Sequence, residues 1–335
     1  MKLKRVLVLR TSGDDVKFLQ SKLKEYGFFK DRIDGFYGQN TLLSVSNFQR
    51  SVSIKPDGVV GPMTWSNLLN YAEKQKMMNK VVEVKNNWID IPNTVSYIGE
   101  NGLRIYDCLL SENEYVKKET VKETIYLHHT AGGSRPDFSI GGWEKDFIRD
   151  ASGDPILDES GNLQSLRVAT SYVIGRRSST TDETIWDGKI LKAFDDKFWA
   201  YHLGITSNSE ELNSKSIGIE ICNYGPLNLG KDGQFYNWVN KPIRESEVVE
   251  LSNSFRGYKY YEKYTDNQIE SLRKLILYLE NKWGLVIEKG IYNDEWFNYD
   301  KKWFTNGGLR SHTQVRKDKF DIFPQKEMIQ MLNSL

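Results

Sequence analysis

Histidine is the residue of this chain best suited to metal or acid–base chemistry, and two of its four copies are adjacent. His128 and His129 lie in YLHHT, while His202 lies in WAYHLG and His312 in LRSHTQVRKDKFDIFP. If ETIYLHHT forms a strand, its side chains alternate between the two faces of a sheet. The apolar side chains of the motif share the face of His129, so we expect His129 to pack inside and His128 to face a cleft.

A single glutamate interrupts the apolar strand predicted for SIGIEIC. The three isoleucines of this stretch alternate onto one face, and Glu220 lies on the other with Gly218 and Cys222. An edge-strand glutamate facing water would give the same pattern. A buried glutamate would be costly to ionise without a charged partner or a metal, which makes Glu220 a candidate for chemistry.

A lysine and a carboxylate follow His312 closely. Because Pro324 excludes a regular helix in KFDIFP, we expect an extended segment with Lys319 and Asp321 projecting to the same side. His128, His312 and Asp321 would together offer two nitrogens and one oxygen, which suits a catalytic Zn²⁺ with one position left for water. The three are far apart in sequence and HExxH is absent, so chemistry alone leaves the zinc site a hypothesis.

Strand and helix patterns alternate around these residues. Strands are predicted at LRIYDCLL, KETIYLHHT, VATSYVIG, IWDGKILKAF and SIGIEIC. YTDNQIESLRKLILYLENKWG predicts an amphipathic helix with Thr265 and Gln268 as a capping box and Gly284 at its end. Residues 150–166 are polar and glycine-rich, and we expect them to form a surface excursion. The pattern predicts an α/β fold with a mixed β-sheet flanked by helices.

The first 72 residues contain an internal repeat. DGFYGQNT at 34–41 returns as DGVVGPMT at 57–64. In each copy we expect both glycines to take positive φ and the closing threonine to cap a helix. Apolar residues at helical spacing in DDVKFLQSKLKEYG, TLLSVSNFQRS and TWSNLLNYA predict a small N-terminal three-helix bundle.

The order of these motifs, DV-x-x-LQ-x-x-L followed twice by DG-x-x-G-x-x-T, resembles the peptidoglycan-binding domain of cell-wall hydrolases. The resemblance covers residues 12–69 and implies a targeting module without catalysis. We therefore expect a peptidoglycan-binding domain at 1–72, a linker at 73–103 and a catalytic domain at 104–335. An unrelated three-helix bundle is the alternative for the first segment.

The remainder resembles the type 2 N-acetylmuramoyl-L-alanine amidases, which share their fold with peptidoglycan recognition proteins. IYLHHTAGG, WAYHLG, SIGIEICNYG and HTQVRKDKFD occur in that order, and the resemblance covers most of residues 120–324. It implies Zn²⁺ as the cofactor, with His128, His312 and Asp321 as its ligands. It also implies Glu220 as the catalytic carboxylate and Lys319 as the cation that stabilises the oxyanion.

The aromatic motif WAYHLG offers candidate substrate contacts at Trp199, Tyr201 and His202, although His202 could equally hold a loop. Some relatives use cysteine as the third metal ligand, near the C-terminus where this chain has Asp321. Cys222 is therefore expected to be a small buried residue. Tyr172 is displaced by one or two positions from a catalytic tyrosine of some relatives, and it is given no role.

The resemblance implies a zinc hydrolase that cleaves the amide bond between N-acetylmuramic acid and L-alanine of bacterial peptidoglycan. Its modular order resembles a phage endolysin that lyses the host cell. A non-catalytic peptidoglycan-recognition protein and a stem-peptide peptidase remain alternatives. The presence of Glu220, Lys319 and Asp321 favours the enzyme over the recognition protein.

Composition excludes several other classes of function. The formal net charge of +1 argues against nucleic acid as the main partner, and two cysteines without a CxxC pair predict free thiols. The first apolar stretch has about four residues, whereas the apolar segment of a secretory signal has roughly 7–15 residues. No apolar run approaches the roughly 18 residues that a membrane span requires. We expect a monomer that waits in the host cytoplasm and does not insert into membranes.

Overall fold

The computed structural model describes residues 3–52, 54–72, 95–99, 101–151, 153, 155–157 and 164–335. By their contacts the residues fall into two units, Met1–Asn86 and Asn87–Leu335, and each is described by itself. Of the linker expected at 73–103, residues 73–94 lie outside the described residues, while Val95–Ile98 forms a strand. The domain boundaries therefore stay predictions.

The amino-terminal unit contains the three predicted helices, α1 (Asp14–Glu25), α2 (Gln39–Ser51) and α3 at residues 62–72. Their apolar faces meet in one core because the apolar side chains recur at helical spacing. The buried members of that core include Val16, Leu19, Leu23, Val45, Phe48, Trp65 and Leu68. The three-helix bundle expected from the sequence is confirmed.

Each copy of the repeat in this unit is organised by one buried glutamine. Gln20 Nε2 donates to Asp34 Oδ1 at 2.8 Å and to Thr41 Oγ1 at 3.1 Å, and its Oε1 accepts the N–H of Gly35 at 2.9 Å. Gln49 repeats this pattern in the second copy, with acceptors on Asp57, Val59 and Thr64 and the N–H of Gly58 as donor. The sequence repeat is thus a repeated hydrogen-bond network.

The repeat differs from expectation in two details. Gly35 and Gly58 take positive φ, at 75° and 68°, but Gly38 has φ of −83° and is itself the N-cap of α2. Thr41 lies inside α2 and caps nothing, because its hydroxyl is taken by the network of Gln20. The capping role predicted for this threonine is wrong.

The carboxyl-terminal unit is built on two sheets. In chain order its strands are β1 (Val95–Ile98), β2 (Arg104–Asp107), β3 (Thr124–His129), β4 (Tyr172–Ile174), β5 (Ile190–Lys192), β6 (Ser216–Ile221), β7 (Pro226–Leu229), β8 (Phe235–Tyr236), β9 (Pro242–Ile243), β10 (Val248–Phe255), β11 (Tyr258–Glu262) and β12 (Gly308–Ser311). The first sheet has seven strands in the order β1-β2-β5-β4-β6-β3-β12, and the second has five in the order β10-β11-β7-β8-β9.

Helices complete the unit. They are α4 (Pro136–Trp143), α5 (Ser209–Ser214), α6 (Asp266–Trp283), α7 (His312–Val315) and α8 (Lys326–Asn333), with 3₁₀ turns at Glu112–Glu114, Glu245–Glu247, Asp294–Phe297 and Lys301–Trp303. Thr265 and Gln268 form the predicted capping box of α6, and Gly284 ends the helix with φ of 63°. In the part of the chain that the structure describes, no helix combines the length and apolarity needed to cross a bilayer.

The seven-stranded sheet is mixed, as expected. β2–β5, β4–β6, β6–β3 and β3–β12 are parallel pairs, whereas β1–β2 and β4–β5 are antiparallel. One face packs against α6 and α8 through Ile125, Leu127, Ile217, Ile219, Leu272 and Leu332, among others. The all-antiparallel second sheet was not predicted from the sequence.

Candidate active site

Strand register brings the candidate residues to one edge of the seven-stranded sheet. β3, β6 and β12 are parallel, so their carboxyl ends meet at the edge where α/β proteins commonly bind ligands. His128 on β3 and Glu220 on β6 are direct partners and therefore project from the same face. β12 ends at Ser311, which caps α7 and places His312 in its first turn.

Three side-chain atoms converge at this edge. Nδ1 of His128 and Nδ1 of His312 are 3.0 Å apart. Oδ2 of Asp321 lies 2.8 Å from the nitrogen of His312 and 3.5 Å from that of His128. Among the described residues, these three form the one group of His, Cys, Asp and Glu side chains able to hold a metal ion, and all are buried.

The hydrogen bonds of His312 fix which of its nitrogens carries the proton. Its Nε2 is 2.9 Å from the main-chain oxygen of Leu203. A carbonyl can only accept, so Nε2–H is the donor. In the neutral ring Nδ1 is then unprotonated, and its lone pair points at the carboxylate of Asp321.

A second chain of hydrogen bonds fixes His128 in the same way. The Ser216 hydroxyl donates to Leu212 O at 2.7 Å, so it accepts from His202 Nε2–H at 2.8 Å. His202 Nδ1 is therefore unprotonated and accepts from His128 Nε2–H at 2.9 Å. Burial, followed by the neighbouring His312, lowers the pKa of His128 to about 4, which keeps the ring neutral. The lone pair of His128 Nδ1 also points into the site.

In the neutral form of both rings, two nitrogen lone pairs and one carboxylate oxygen face one another. Such an arrangement is repulsive unless a cation lies at its centre. In a tetrahedral Zn²⁺ site with bonds of about 2.0–2.1 Å, ligand atoms lie about 3.3 Å from each other, and the observed separations of 2.8, 3.0 and 3.5 Å span that value. Imidazoles whose second N–H is held by a protein acceptor are also typical of metal ligands. The residues fit zinc.

The charge of Asp321 agrees with this assignment. Burial opposes ionisation of its carboxyl group. The positive charge that His312 carries when protonated, together with hydrogen bonds to His128 and His312, outweighs burial and holds the pKa of Asp321 well below its usual value. Asp321 is therefore an anion, which is the form that binds a metal.

Glu220 has the opposite character. Its Oε2 is buried and has no hydrogen-bond partner within the described residues. Burial, reinforced by the charge of Asp321, raises the pKa of Glu220 well above its usual value, while the positive charge of Lys319 acts against that rise. A carboxylate that readily accepts a proton is what general-base catalysis requires.

His129, Tyr172 and Cys222 lie outside the group of three converging atoms. His129 is buried on the opposite face, where Nδ1 is 3.1 Å from the hydroxyl of Tyr264, as the strand alternation predicts. Tyr172 pairs with Ile219 on that same core face. Cys222 is a free, fully buried thiol outside the metal group.

The three predicted substrate contacts are placed differently from one another. His202 bonds to His128 and Ser216, so both of its ring nitrogens are engaged by protein groups. Trp199 is only 4% exposed and packs edge-on against Tyr201 at 5.3 Å between ring centroids. A role in substrate binding stays a prediction for all three.

Two residues that position His202 were missed in the sequence. Ser216 accepts its proton, and Gly218 makes room for its ring, because a Cβ at 218 would lie 3.2 Å from His202 Cγ and 2.7 Å from Thr170 Cγ2. The signal was present, since both residues alternate onto the face of Glu220 in SIGIE. What the sequence did not show was which histidine would meet them.

Two histidines and an aspartate that could hold a metal ion lie at the carboxyl edge of the mixed sheet. Three such ligands leave one position for water, as in catalytic zinc sites. The chain belongs to the N-acetylmuramoyl-L-alanine amidase family, whose model matches residues 118–319. A second model, described as a putative peptidoglycan binding domain, matches residues 12–68. Both resemblances noted in the sequence are confirmed.

Individual relatives match only part of the chain. A spore cortex-lytic enzyme of Bacillus subtilis is 39% identical over 66 residues, 19% of this chain and 22% of that protein. The N-acetylmuramoyl-L-alanine amidase CwlM of Mycobacterium tuberculosis is 38% identical over 56 residues, 17% of this chain and 14% of that protein. This chain spans about half or less of the length of the curated relatives it matches.

Solved structures show comparable partial likeness. The N-terminal domain of SleB is 34% identical, with a TM-score of 0.21 over 21% of this chain and 97% of that one. PlyL is 11% identical, with a TM-score of 0.34 over 65% of this chain and 85% of that one. At these TM-scores neither likeness bears on the fold, and the family match is what identifies the chain.

Proposed function

We propose that this protein is a zinc-dependent amidase that hydrolyses the bond between N-acetylmuramic acid and L-alanine in bacterial peptidoglycan, and that its amino-terminal unit binds the same polymer. The observation that carries the proposal is the convergence of His128 Nδ1, His312 Nδ1 and Asp321 Oδ2 beside Glu220. The family match supports the choice of bond.

In the proposed reaction the zinc ion, when bound, would polarise the scissile carbonyl and lower the pKa of a water molecule. His128, His312 and Asp321 would hold it, with Leu203 O and the His202–Ser216 pair fixing the two imidazoles. Glu220 would take the proton of the attacking water and pass it to the leaving nitrogen of L-alanine.

Lys319 is proposed to stabilise the negative charge that develops on the carbonyl oxygen. It lies two residues before Asp321 and its charge acts on both Glu220 and His128. A positive charge that acts on the proposed base and on a proposed metal ligand supports this role.

Digestion of purified peptidoglycan tests the proposal. The full chain is incubated with sacculi, with and without a chelator, and the released fragments are identified by mass spectrometry. We expect free stem peptides beginning at L-alanine, lost with the chelator and restored by zinc. Binding to sacculi without released peptide would favour a recognition protein, and fragments cut within the stem would favour a peptidase.

The phage role and the cytoplasmic location before lysis are separate proposals. Expression inside a bacterial cell, with and without a pore-forming compound, tests them together. We expect lysis only when the inner membrane is permeabilised. Lysis without the compound would contradict an enzyme that waits in the cytoplasm.

A further inference from the structure

An exposed tryptophan is hydrogen-bonded to the loop that follows the strand of His128. Trp238 is 64% exposed, and its indole Nε1–H donates to the main-chain oxygen of Ala131 at 2.8 Å. Ala131 is the third residue after His128, so the indole is fastened to the loop that leaves the carboxyl end of β3. An extended chain spans at most about 3.3–3.6 Å per residue, which puts this anchor within about 11 Å of His128 along the backbone.

The turn that carries Trp238 is closed by hydrogen bonds. Asn237 is fully buried, and its Oδ1 accepts the N–H groups of Val239 at 3.1 Å and Lys241 at 2.9 Å. The N–H of Asn240 donates to the oxygen of Asn237 at 2.9 Å and closes the turn between β8 and β9. Trp238 is therefore held at the tip of a closed turn, and little conformational entropy remains to be lost when it binds something.

The loop on the other side of this contact is also fixed. Gly132 N–H donates to the oxygen of Asn223 at 3.1 Å, and Asn223 N–H donates to Thr130 Oγ1 at 3.2 Å. Gly225 follows with φ of 77°, and a Cβ there would lie 2.8 Å from His129 Nε2. The start of the second sheet is thus bound closely to the end of β3.

Folding alone does not account for this arrangement. A chain gains stability by burying an indole ring. In Trp238 the indole N–H is hydrogen-bonded to the protein, but most of the ring faces water. Rigid, exposed tryptophans beside a reaction centre are typical of binding surfaces, where they offer a large flat area at low entropic cost.

We propose that Trp238 is a stacking platform for a sugar ring of the glycan strand, next to the muramic acid residue whose amide is cleaved. The inference rests on the proposed function and deepens it, because it assigns the side of the site that contacts the glycan. A pyranose presents C–H groups on its faces and hydroxyls around its edge, so one face can pack on an indole while the hydroxyls stay hydrated.

Binding of peptide-free glycan strands tests the platform without catalysis. Titration calorimetry of the zinc-loaded full chain compares the wild type with Trp238→Ala and Trp238→Phe. We expect Kd to rise about tenfold in Trp238→Ala, equivalent to about 1.4 kcal/mol, and less in Trp238→Phe. Leu229→Ala, which removes another exposed apolar side chain of the second sheet, should leave Kd unchanged.

The amino-terminal unit is common to every variant, so only differences between variants report on Trp238. Equal Kd values for the wild type and Trp238→Ala would overturn the platform, as would a wild type that does not bind the strands. An equal rise in Leu229→Ala would also overturn it, because the effect would then belong to the sheet as a whole.

Kinetics separates the platform from the amidase assignment. On glycan strands bearing stem peptides we expect kcat/KM of Trp238→Ala to fall about tenfold through KM, with zinc content unchanged. On an N-acetylmuramoyl peptide with a single sugar we expect no change. An equal loss on both substrates would place Trp238 against the muramoyl peptide and refute the platform. A wild type that cleaves neither substrate, with the difference in glycan affinity intact, would refute the amidase assignment alone.

Discussion

Gln49 in the amino-terminal unit and His128 in the carboxyl-terminal unit are both buried polar side chains, yet their hydrogen bonds differ in one respect. The amide of Gln49 faces complementary groups on every side, with three acceptors for its N–H groups and a donor for its oxygen. His128 has such a partner only at Nε2. Its Nδ1 faces the Nδ1 of His312 and the carboxylate of Asp321, which are both metal-ligating groups.

The difference separates a network that holds a fold from one prepared for a ligand. A satisfied buried network specifies a unique conformation, because each group would lose its partner in any other arrangement. The histidine cluster also has satisfied outer bonds, to Leu203 O and through His202 to Ser216. Only the two Nδ1 nitrogens and the Asp321 oxygen have no such outer partner, and these three atoms face a common centre.

The largest expected effect is the loss of metal from the histidine cluster when Asp321 is changed. Asp321→Asn removes the anionic ligand and should abolish stoichiometric zinc and hydrolysis, a larger loss than the 10–100-fold typical of outer contacts. Asp57→Asn, which alters a carboxylate of the satisfied network, is the matched control and should retain full zinc. Metal analysis after dialysis decides this. Zinc retained by Asp321→Asn would contradict the ligand assignment.

The second expected effect is on turnover without loss of metal. Glu220→Gln keeps the shape of the side chain but removes the proton acceptor, so kcat should fall about 10²–10⁴-fold while zinc content stays at that of the wild type. Stem-peptide release and metal analysis are measured on the same preparation. Turnover like that of the wild type would show that Glu220 is not the base.

The third expected effect is on zinc affinity through the outer bonds of His128. His202→Phe removes the acceptor that holds His128 in its tautomer, and we expect zinc affinity to fall about 10–100-fold. Ser216→Ala should shift affinity in the same direction by less, because His202 keeps its ring.

Competition with a chromophoric chelator measures this affinity. Ser271→Ala removes a hydroxyl bonded to Gly188 O, far in sequence from the cluster, and serves as the control. Affinities equal to that of the wild type in both His202→Phe and Ser216→Ala would show that the relay does not position His128.

The fourth expected effect is on stability and leaves the metal untouched. Gln49→Met keeps the length of the side chain but leaves Asp57, Val59 O and the N–H of Gly58 without their partner. We expect the amino-terminal unit to lose about 3 kcal/mol, since each unsatisfied buried group costs about 1–3 kcal/mol. Thermal unfolding should show this, and Gln20→Met should behave alike because its network is the same. Unchanged unfolding in both would contradict the structural role.

Local patterns predicted much of the two units. Thr265, Gln268 and Gly284 lie within one stretch of sequence, so the bounds of α6 followed from them. The faces of His128 and Glu220 followed from the two-residue period of strands. The bond between His202 and His128 joins residues 74 positions apart, and the contact of Trp238 with Ala131 spans 107. Such pairs depend on how loops close over the sheet, which no local period encodes.

The smallest expected effect concerns a buried carboxyl group whose donors, among the described residues, are a hydroxyl and an amide. Glu114 is buried beside the Ser165 hydroxyl and the Asn113 amide, and burial raises its pKa to about 7. The pKa of Asp321, which lies beside two histidines, is lowered instead. Because the pKa of Glu114 is raised in the folded state, its contribution to stability is fully present below about pH 4.5. That contribution is lost as the pH rises through about 7.

Glu114→Gln removes this titration while keeping a polar side chain of the same size. Between pH 5 and pH 8 the wild type should lose about 2–3 kcal/mol of unfolding free energy relative to the variant. Urea unfolding at the two pH values, run in pairs, measures this difference. Parallel curves for the two proteins would show that Glu114 keeps an ordinary pKa, and that its hydroxyl and amide donors are enough to hold a buried carboxylate charged.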